Sequence, residues 1–368
     1  MSSIAIPLDQ PRRSLDVFGA ACLEAVRTHR VYLAIIVLFV PLAPVVGVLT
    51  GTEEVIRLSL QMPRFVTLAI FFATAIFVGH AVWFMVKVRP AGALLPAMWA
   101  DFKSRFMQPQ RIANFLVAVL PVPLFFSAYN SLKRTIPYIN PFSWDRQFAE
   151  WDRFLHGGVH PYELIQPLLG HPLVTSLMAG LYTIWLAVLM LTIVWQAFTT
   201  RNPVLRQQFF LTFLVTWIVL GTCGALLLSS AGPVYYDRVL AEPGPYQPLL
   251  EYLHQAHQQY AIMAIKGHEY LWRVYMAAGD NFGTGISAMP SMHIAMTTLF
   301  AIVGWRTNRV LGIAYTIFAV LIQLGSVHLA WHYAIDGYVS TISVLIMWWV
   351  IGRIMGTAKA RQPAPAIA

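Results

Sequence analysis

Long apolar runs, interrupted by short polar or proline-bearing stretches, set the pattern of this chain. Runs near 31–50, 66–87, 112–130, 174–198, 209–230, 291–305, 310–327 and 333–354 predict eight membrane-crossing helices. A helix needs about 20 apolar residues to cross the hydrocarbon core of a bilayer. The sixth run is short, ending at Trp305 and Arg306. Residues 14–29 follow a different pattern. Leu15, Phe18, Cys22, Leu23 and Val26 recur at helical spacing, and Asp16, Glu24 and Arg27 occupy the other positions. That predicts a helix lying on the membrane surface. Two longer connections, near 131–173 and 231–290, hold an aromatic and charged segment around Trp144–Leu155 and a helical stretch near 248–278.

The expected fold is therefore all-α: a polytopic membrane helix bundle of about eight transmembrane helices. Residues 1–30 form a cytoplasmic tail and surface helix, 31–356 a single membrane domain, and 357–368 a disordered tail. Composition agrees with this. The 368 residues are 58% hydrophobic and 11% charged, against about 25% charged in soluble domains. The two cysteines, Cys22 and Cys223, lie before the first span and inside a later one, which gives no disulfide framework. The first apolar run is too long for a cleavable signal.

The net charge of +9 changes the picture only once it is distributed. With the N-terminus in the cytoplasm, the cytoplasmic segments carry 16 cations and four acids, and the opposite side nine cations and twelve acids. This split follows the positive-inside rule and removes the case for a nucleic-acid partner. Both termini are then cytoplasmic. Small loops and the lack of organelle signals suggest a bacterial inner membrane.

The candidate chemistry falls at the extracytoplasmic ends of the segments. His332 and Asp336, four residues apart on a helix, share a face. The carboxylate can hold one ring nitrogen and leave the other as nucleophile or base, although a satisfied buried pair has the same spacing. His328, His332 and Asp336 form a straight i, i+4, i+8 line that splays too far to share a metal ion comfortably, so no metal or other cofactor is expected. His293 follows Pro290 and Ser291 at a helix start, where free N–H groups favour an anion. Gly283 and Gly285 could curl further N–H groups toward a phosphate. The same residues also fit a helix breaker with an interfacial His. Lys266 and Arg273, seven residues apart, could neutralise a phosphate or be ordinary loop charges.

In this order the motifs resemble the lipid phosphate phosphatase superfamily (type 2 phosphatidic acid phosphatases and their transferase relatives). Lys266-x6-Arg273 is similar to the first motif, with Val274 in place of Pro. Pro290-Ser291-Met292-His293 is similar to the second, with Met292 in place of Gly. His332-x3-Asp336 is similar to the third, with Gly325-Ser326 where Ser-Arg is usual. The contexts Ser287–Ala295, Trp331–Gly337 and Trp151–Gly157 resemble the branch of inositol phosphorylceramide synthases and bacterial inositol phosphotransferase-like proteins. The resemblance implies a six-helix phosphatase-type core, His332 as nucleophile oriented by Asp336, and His293 as general acid. It also implies a phosphate site of Lys266, Arg273, Ser291 and backbone near Gly283 and Gly285. His328, one turn before His332, is a candidate replacement for the missing Arg.

The leading expectation is a membrane lipid phosphotransferase. It would act on a phospholipid or lipid phosphate, with an alcohol acceptor such as inositol or a lipid alcohol. The alternatives are a lipid phosphate phosphatase and a non-catalytic lipid transporter.

Overall fold

The structure is a computed structural model, describing residues 9–59, 61–88, 92–277 and 285–360. Among these residues all regular structure is helical. The surface helix is α1, Asp9–Thr28. It packs through Ala21 and Ala25 onto Ala113, where small side chains let two helices approach closely. The first span follows as α2, Arg30–Phe39, and α3, Leu42–Thr50. Pro41, which lacks a donor, lies between them. The second span is α4, Met62–Trp83, extended by a π turn at Phe84–Val88.

Helix α5, Leu94–Phe106, lies where only a basic loop was expected. The third span is again broken at a proline, into α6, Pro109–Val119, and α7, Val122–Ile139. The first long connection folds as the amphipathic helices α8, Asp145–Leu155, and α9, Pro161–Leu169. Then come α10, Pro172–Phe198, and α11, Pro203–Ile218, the latter continued by a π turn at Val219–Gly224 and the short α12, Ala225–Leu227. The second long connection holds α13, Tyr236–Leu240, α14, Gln247–Gln259, and α15, Met263–Met276. The chain ends in α16, Met292–Thr307, α17, Arg309–His328, and α18, Ala334–Ala360.

Seven of these segments are long and apolar enough to cross a membrane, as expected of a multi-pass protein. The eighth expected span is α16. At 16 residues it is about 24 Å long, and it forms the buried centre of the bundle. Ile294 through Phe300 are nearly all enclosed, and the helix packs against α17, α18, α11 and α10. Helix α18 continues to Ala360, past the expected start of the tail at 357.

In lipid, apolar burial gives little drive for helices to associate, so close packing and hydrogen bonds must hold them. Phe125, Phe209, Phe210, Phe213 and Phe300 fill the centre. The opposite ends of the spans are tied differently. At one end Arg111 donates to Phe198 O (3.3 Å) and Gln207 to Thr28 O (2.9 Å). At the other, Asn140 donates to Leu226 O (2.6 Å), and Ser143 and Trp144 N–H groups both reach Ser229 O. This second end carries the candidate site.

Candidate active site

The turn between α17 and α18 places the key histidine. Trp331 N and His332 N both donate to Ser326 O, at 2.9 and 3.1 Å. Ala330 sits in the left-handed region at φ 60°, a conformation costly for a residue with a Cβ. The reversal turns His332 inward, 7% exposed. Asp336, fully buried in the first turn of α18, brings Oδ2 to 3.1 Å from His332 Nδ1 and 3.2 Å from Tyr333 N. With Nδ1 carrying the proton toward the carboxylate, Nε2 keeps its lone pair, and the Ala288 backbone also interacts with the ring. Burial, reinforced by the charge of Lys133, pushes the His332 imidazole well below its ordinary range. The neutral, nucleophilic form is thereby favoured.

Helix α8 fixes this arrangement from about 180 residues upstream. Asp152 Oδ2 accepts from Ala334 N (2.6 Å) and Oδ1 from Ile335 N (2.8 Å). It therefore caps, from another helix, the free N–H groups that start α18. Asp145, fully buried, accepts from Ala231 N, Gly232 N and the Tyr333 hydroxyl, each at 2.8 Å. Gly232 is at φ 96°, and a Cβ there would lie 2.7 Å from Trp331 O, so the loop around it accommodates only glycine readily. The two carboxylates hold Tyr333, Ala334 and Ile335, which directly follow His332, and the Ala231–Gly232 segment.

His293 enters from α16, one residue into the helix after the cis Met289–Pro290 bond and Ser291. Its ring lies 4.6 Å from Tyr182 and 4.2 Å from Trp185, and 6.0 Å from the His332 ring. Trp185 Nε1 donates to His293 O at 3.1 Å. The two imidazoles thus face one space, His293 from α16 and His332 from the α17–α18 turn, beside the aromatic rings of Tyr182 and Trp185.

That space is a cavity of about 450 Å³. Its polar end holds His293, His332, Lys133, Asn130 and Ser287, and its remaining walls include Phe126, Trp185, Leu189 and Trp217. On α7 the lining runs from Lys133 back to Pro123, a distance of about 15 Å along the helix. The lining thus combines the polar groups around the two imidazoles with a larger set of apolar and aromatic side chains. Lys133 is close enough for its charge to bear on both imidazoles. Its stem passes over Gly285, where a Cβ would lie 3.1 Å from Lys133 Cγ and where φ is 127°.

The other expected residues divide. Gly285 lines the cavity, and Gly283 lies outside the described residues. Ser291 is fully enclosed, with no partner for Oγ among the described residues, and its N–H reaches Asp336 O at 3.4 Å. His328 bonds Thr175 Oγ1 through Nε2 at 2.9 Å and is absent from the cavity lining. Lys266 and Arg273 are exposed on α15 and line a separate recess, which shares Tyr182, Thr183 and Trp331 with the cavity. Lys133 and the two aspartates of α8 are what the sequence reading missed as site residues. Among the described residues no three His, Cys, Asp or Glu gather as metal ligands.

Residues 146–350 match the PAP2 superfamily. The chain belongs to the PAP2 superfamily. The match runs from α8 to α18 and takes in His293, His332, Asp336, Asp152 and the α15 cations, while Lys133 lies upstream of it. As a PAP2 protein the chain carries its paired histidines in a multi-helix membrane scaffold suited to phosphatase- or phosphotransferase-type chemistry on lipid phosphates. No curated protein matches the chain, and no solved structure does.

Proposed function

We propose that this PAP2 protein transfers a phosphate-bearing head group from a lipid to an alcohol, through a covalent phosphohistidine on His332. His332 Nε2 attacks phosphorus, and the bond from phosphorus to the leaving oxygen breaks. His293 gives that oxygen its proton. An alcohol then attacks the phosphohistidine, His293 takes up the alcohol proton, and the P–N bond breaks. Asp336 orients the imidazole and stabilises the charge it gains. Lys133 neutralises the phosphate oxygens as charge gathers in the transition state.

The observation that carries this reading is the meeting of His332, His293 and Lys133 at the polar head of one apolar cavity. A lipid matches that lining, with its phosphate at the histidines and a chain along the apolar walls. Transfer is favoured over hydrolysis because the nucleophile is nearly enclosed and bounded by Tyr182, Trp185 and Trp331. A covalent intermediate that awaits an alcohol needs such shielding from water. The positive-inside distribution of cations supports a position of this end of the bundle outside the cytoplasm.

The test is purified protein with a panel of head-group-labelled phospholipids, with and without inositol or a lipid alcohol. A new head-grouped lipid supports transfer, while free phosphate alone would replace transfer with phosphatase action. His332→Ala should abolish either product, and acid-labile label should be trapped on the wild-type chain. Unchanged turnover in His332→Ala would overturn the enzyme reading in favour of a lipid-binding or transport protein.

A further inference from the structure

Along α7 the cavity wall changes character one turn away from Lys133. Asn130 and Tyr129 follow within about 6 Å along the helix, and Phe126 and Pro123 lie beyond them on the same wall. Neither the Asn130 carboxamide nor the Tyr129 hydroxyl has a hydrogen-bond partner among the described residues. Two further polar side chains of the lining stand beside this stretch. Gln61 N–H donates to Ser127 Oγ at 3.2 Å, which ties the start of α4 to α7. The Trp217 ring of α11 lies 4.9 Å from that of Tyr129 and 4.8 Å from that of Phe126. Gln61 Nε2 and Trp217 Nε1 also lack a partner among the described residues. Gln61, Tyr129 and Trp217 are no more than 6% exposed. Enclosed donors without partners are costly and uncommon, so a belt of them on a cavity wall points to a ligand that supplies acceptors. An indole N–H and an amide NH₂ can only donate, and no acidic residue among the described ones lines the cavity.

We propose that this belt binds the ester carbonyl oxygens of a diacyl phospholipid, and so selects such a lipid over an isoprenoid phosphate. The inference rests on the proposed function in one respect, the placing of the phosphate at Lys133 and the histidines. The ester groups of a diacyl lipid are only a few bonds from phosphorus. They therefore meet α7 where its charge gives way to the neutral donors of Asn130 and Tyr129, and the acyl chains continue along Phe126, Phe65 and Leu189. An isoprenoid phosphate has hydrocarbon at that position and would leave the belt unpaired. Asn130 and Tyr129 make and break no bond in this scheme; they set which lipid fits. Gln61, Tyr129 and Asn130 all precede the residues that match the superfamily, so the selectivity is a property of the N-terminal helices.

The test uses the full-length chain carrying His332→Ala, which stops turnover, in maltoside micelles. Native mass spectrometry titrates three probes with the same phosphate head: diacyl phosphatidic acid, its dialkyl ether analogue, which lacks only the carbonyl oxygens, and an isoprenyl monophosphate. The diacyl lipid should bind about ten- to thirtyfold tighter than the ether, and the isoprenyl phosphate no better than the ether. Adding Asn130→Leu with Tyr129→Phe should bring the diacyl lipid down to the affinity of the ether, while the ether itself shifts by less than about threefold. Equal binding of diacyl and ether lipids, an unchanged preference in the double variant, or tight binding of the isoprenyl phosphate would each overturn the proposal. A thermal melt verifies that the double variant is folded. If it is not, Tyr129→Phe alone, which removes one oxygen, should still reduce the preference about threefold or more, and an undiminished preference would refute the role of Tyr129. In the active chain the preference should appear in KM for the lipid donor rather than in kcat. An effect confined to KM of the alcohol acceptor would assign the belt to the acceptor and overturn the carbonyl reading. Should the active chain turn over none of the three lipids, the proposed function fails, while the binding ratio still decides on the belt.

Discussion

Replacing Asp152 with alanine separates the local role of this carboxylate from its global one. Its two oxygens accept from Ala334 N and Ile335 N at 2.6 and 2.8 Å. Removing them leaves one buried and one partly buried donor, at about 1–3 kcal/mol each, or roughly 4 kcal/mol together. Against this, the carboxylate is itself expensive to bury, and its pKa is pushed up to about 6 from 3.8 by burial. That shift is worth about 3 kcal/mol, which the alanine variant recovers. The two effects nearly cancel, so global stability should fall by only about 1 kcal/mol. The first turn of α18 nevertheless loses its anchor, and Asp336 rides on that turn. A misplacement of about 1 Å at a reacting group can cost about a hundredfold, so kcat should drop about 10- to 100-fold with little change in KM. Hydrogen–deuterium exchange of the Ala334 and Ile335 amides should speed up by more than about tenfold, while exchange in α16 stays the same. If those two amides remain as protected as in the wild type, or if kcat is unchanged, the capping argument is wrong.

Three further outcomes are expected. Lys133→Gln should lower kcat by about a hundredfold or more in the labelled-lipid assay, and loss through KM alone would remove Lys133 from the transition state. Gly285→Ala forces a Cβ into a backbone at φ 127° and against the Lys133 stem. It should cost about 1–3 kcal/mol in thermal unfolding and also reduce activity, whereas a neutral substitution would mean that Lys133 does not depend on this contact. The raised Asp152 pKa means that the folded chain binds this proton more tightly than the unfolded one. Stability should therefore rise as pH falls from about 6 toward 4, with a gain of about 1 kcal/mol between pH 7 and 5. Asp152→Ala should lack that gain, and identical pH profiles for the two chains would contradict the assignment.

What could be read in the sequence was what local spacing encodes. His332 and Asp336 are one helical turn apart, so their pairing follows from periodicity, and His293 was marked by the proline and serine before it. The apolar runs located the spans, including α16, which is short and enclosed by its neighbours. Lys133 was counted as one of the charges of a connecting loop, because nothing local shows that α7 carries it to the histidines. Asp145 and Asp152 lay in a segment read as interfacial, and their partners are nearly 200 positions away. Lys266 and Arg273 matched a motif spacing, but spacing does not specify which side of α15 faces the cavity. His328 had the right offset from His332, yet its bond is to Thr175 on α10.

The clasp between α8 and α18 also bears on how the chain is made. Synthesis and insertion proceed from the N-terminus, so α8 is in place long before α18 emerges. Until then Asp145 lacks the Tyr333 hydroxyl and Asp152 lacks both of its amide partners, and such carboxylates stay hydrated rather than buried. With α18 present, the Tyr333 hydroxyl and the Ala334 and Ile335 amides meet these carboxylates, and Asp336 meets His332. A chain that stops short of α18 would lack Asp336 and the Ala334 and Ile335 amides, and would leave Asp152 without these partners. Completion of α18 is therefore what brings the His332–Asp336 pair together.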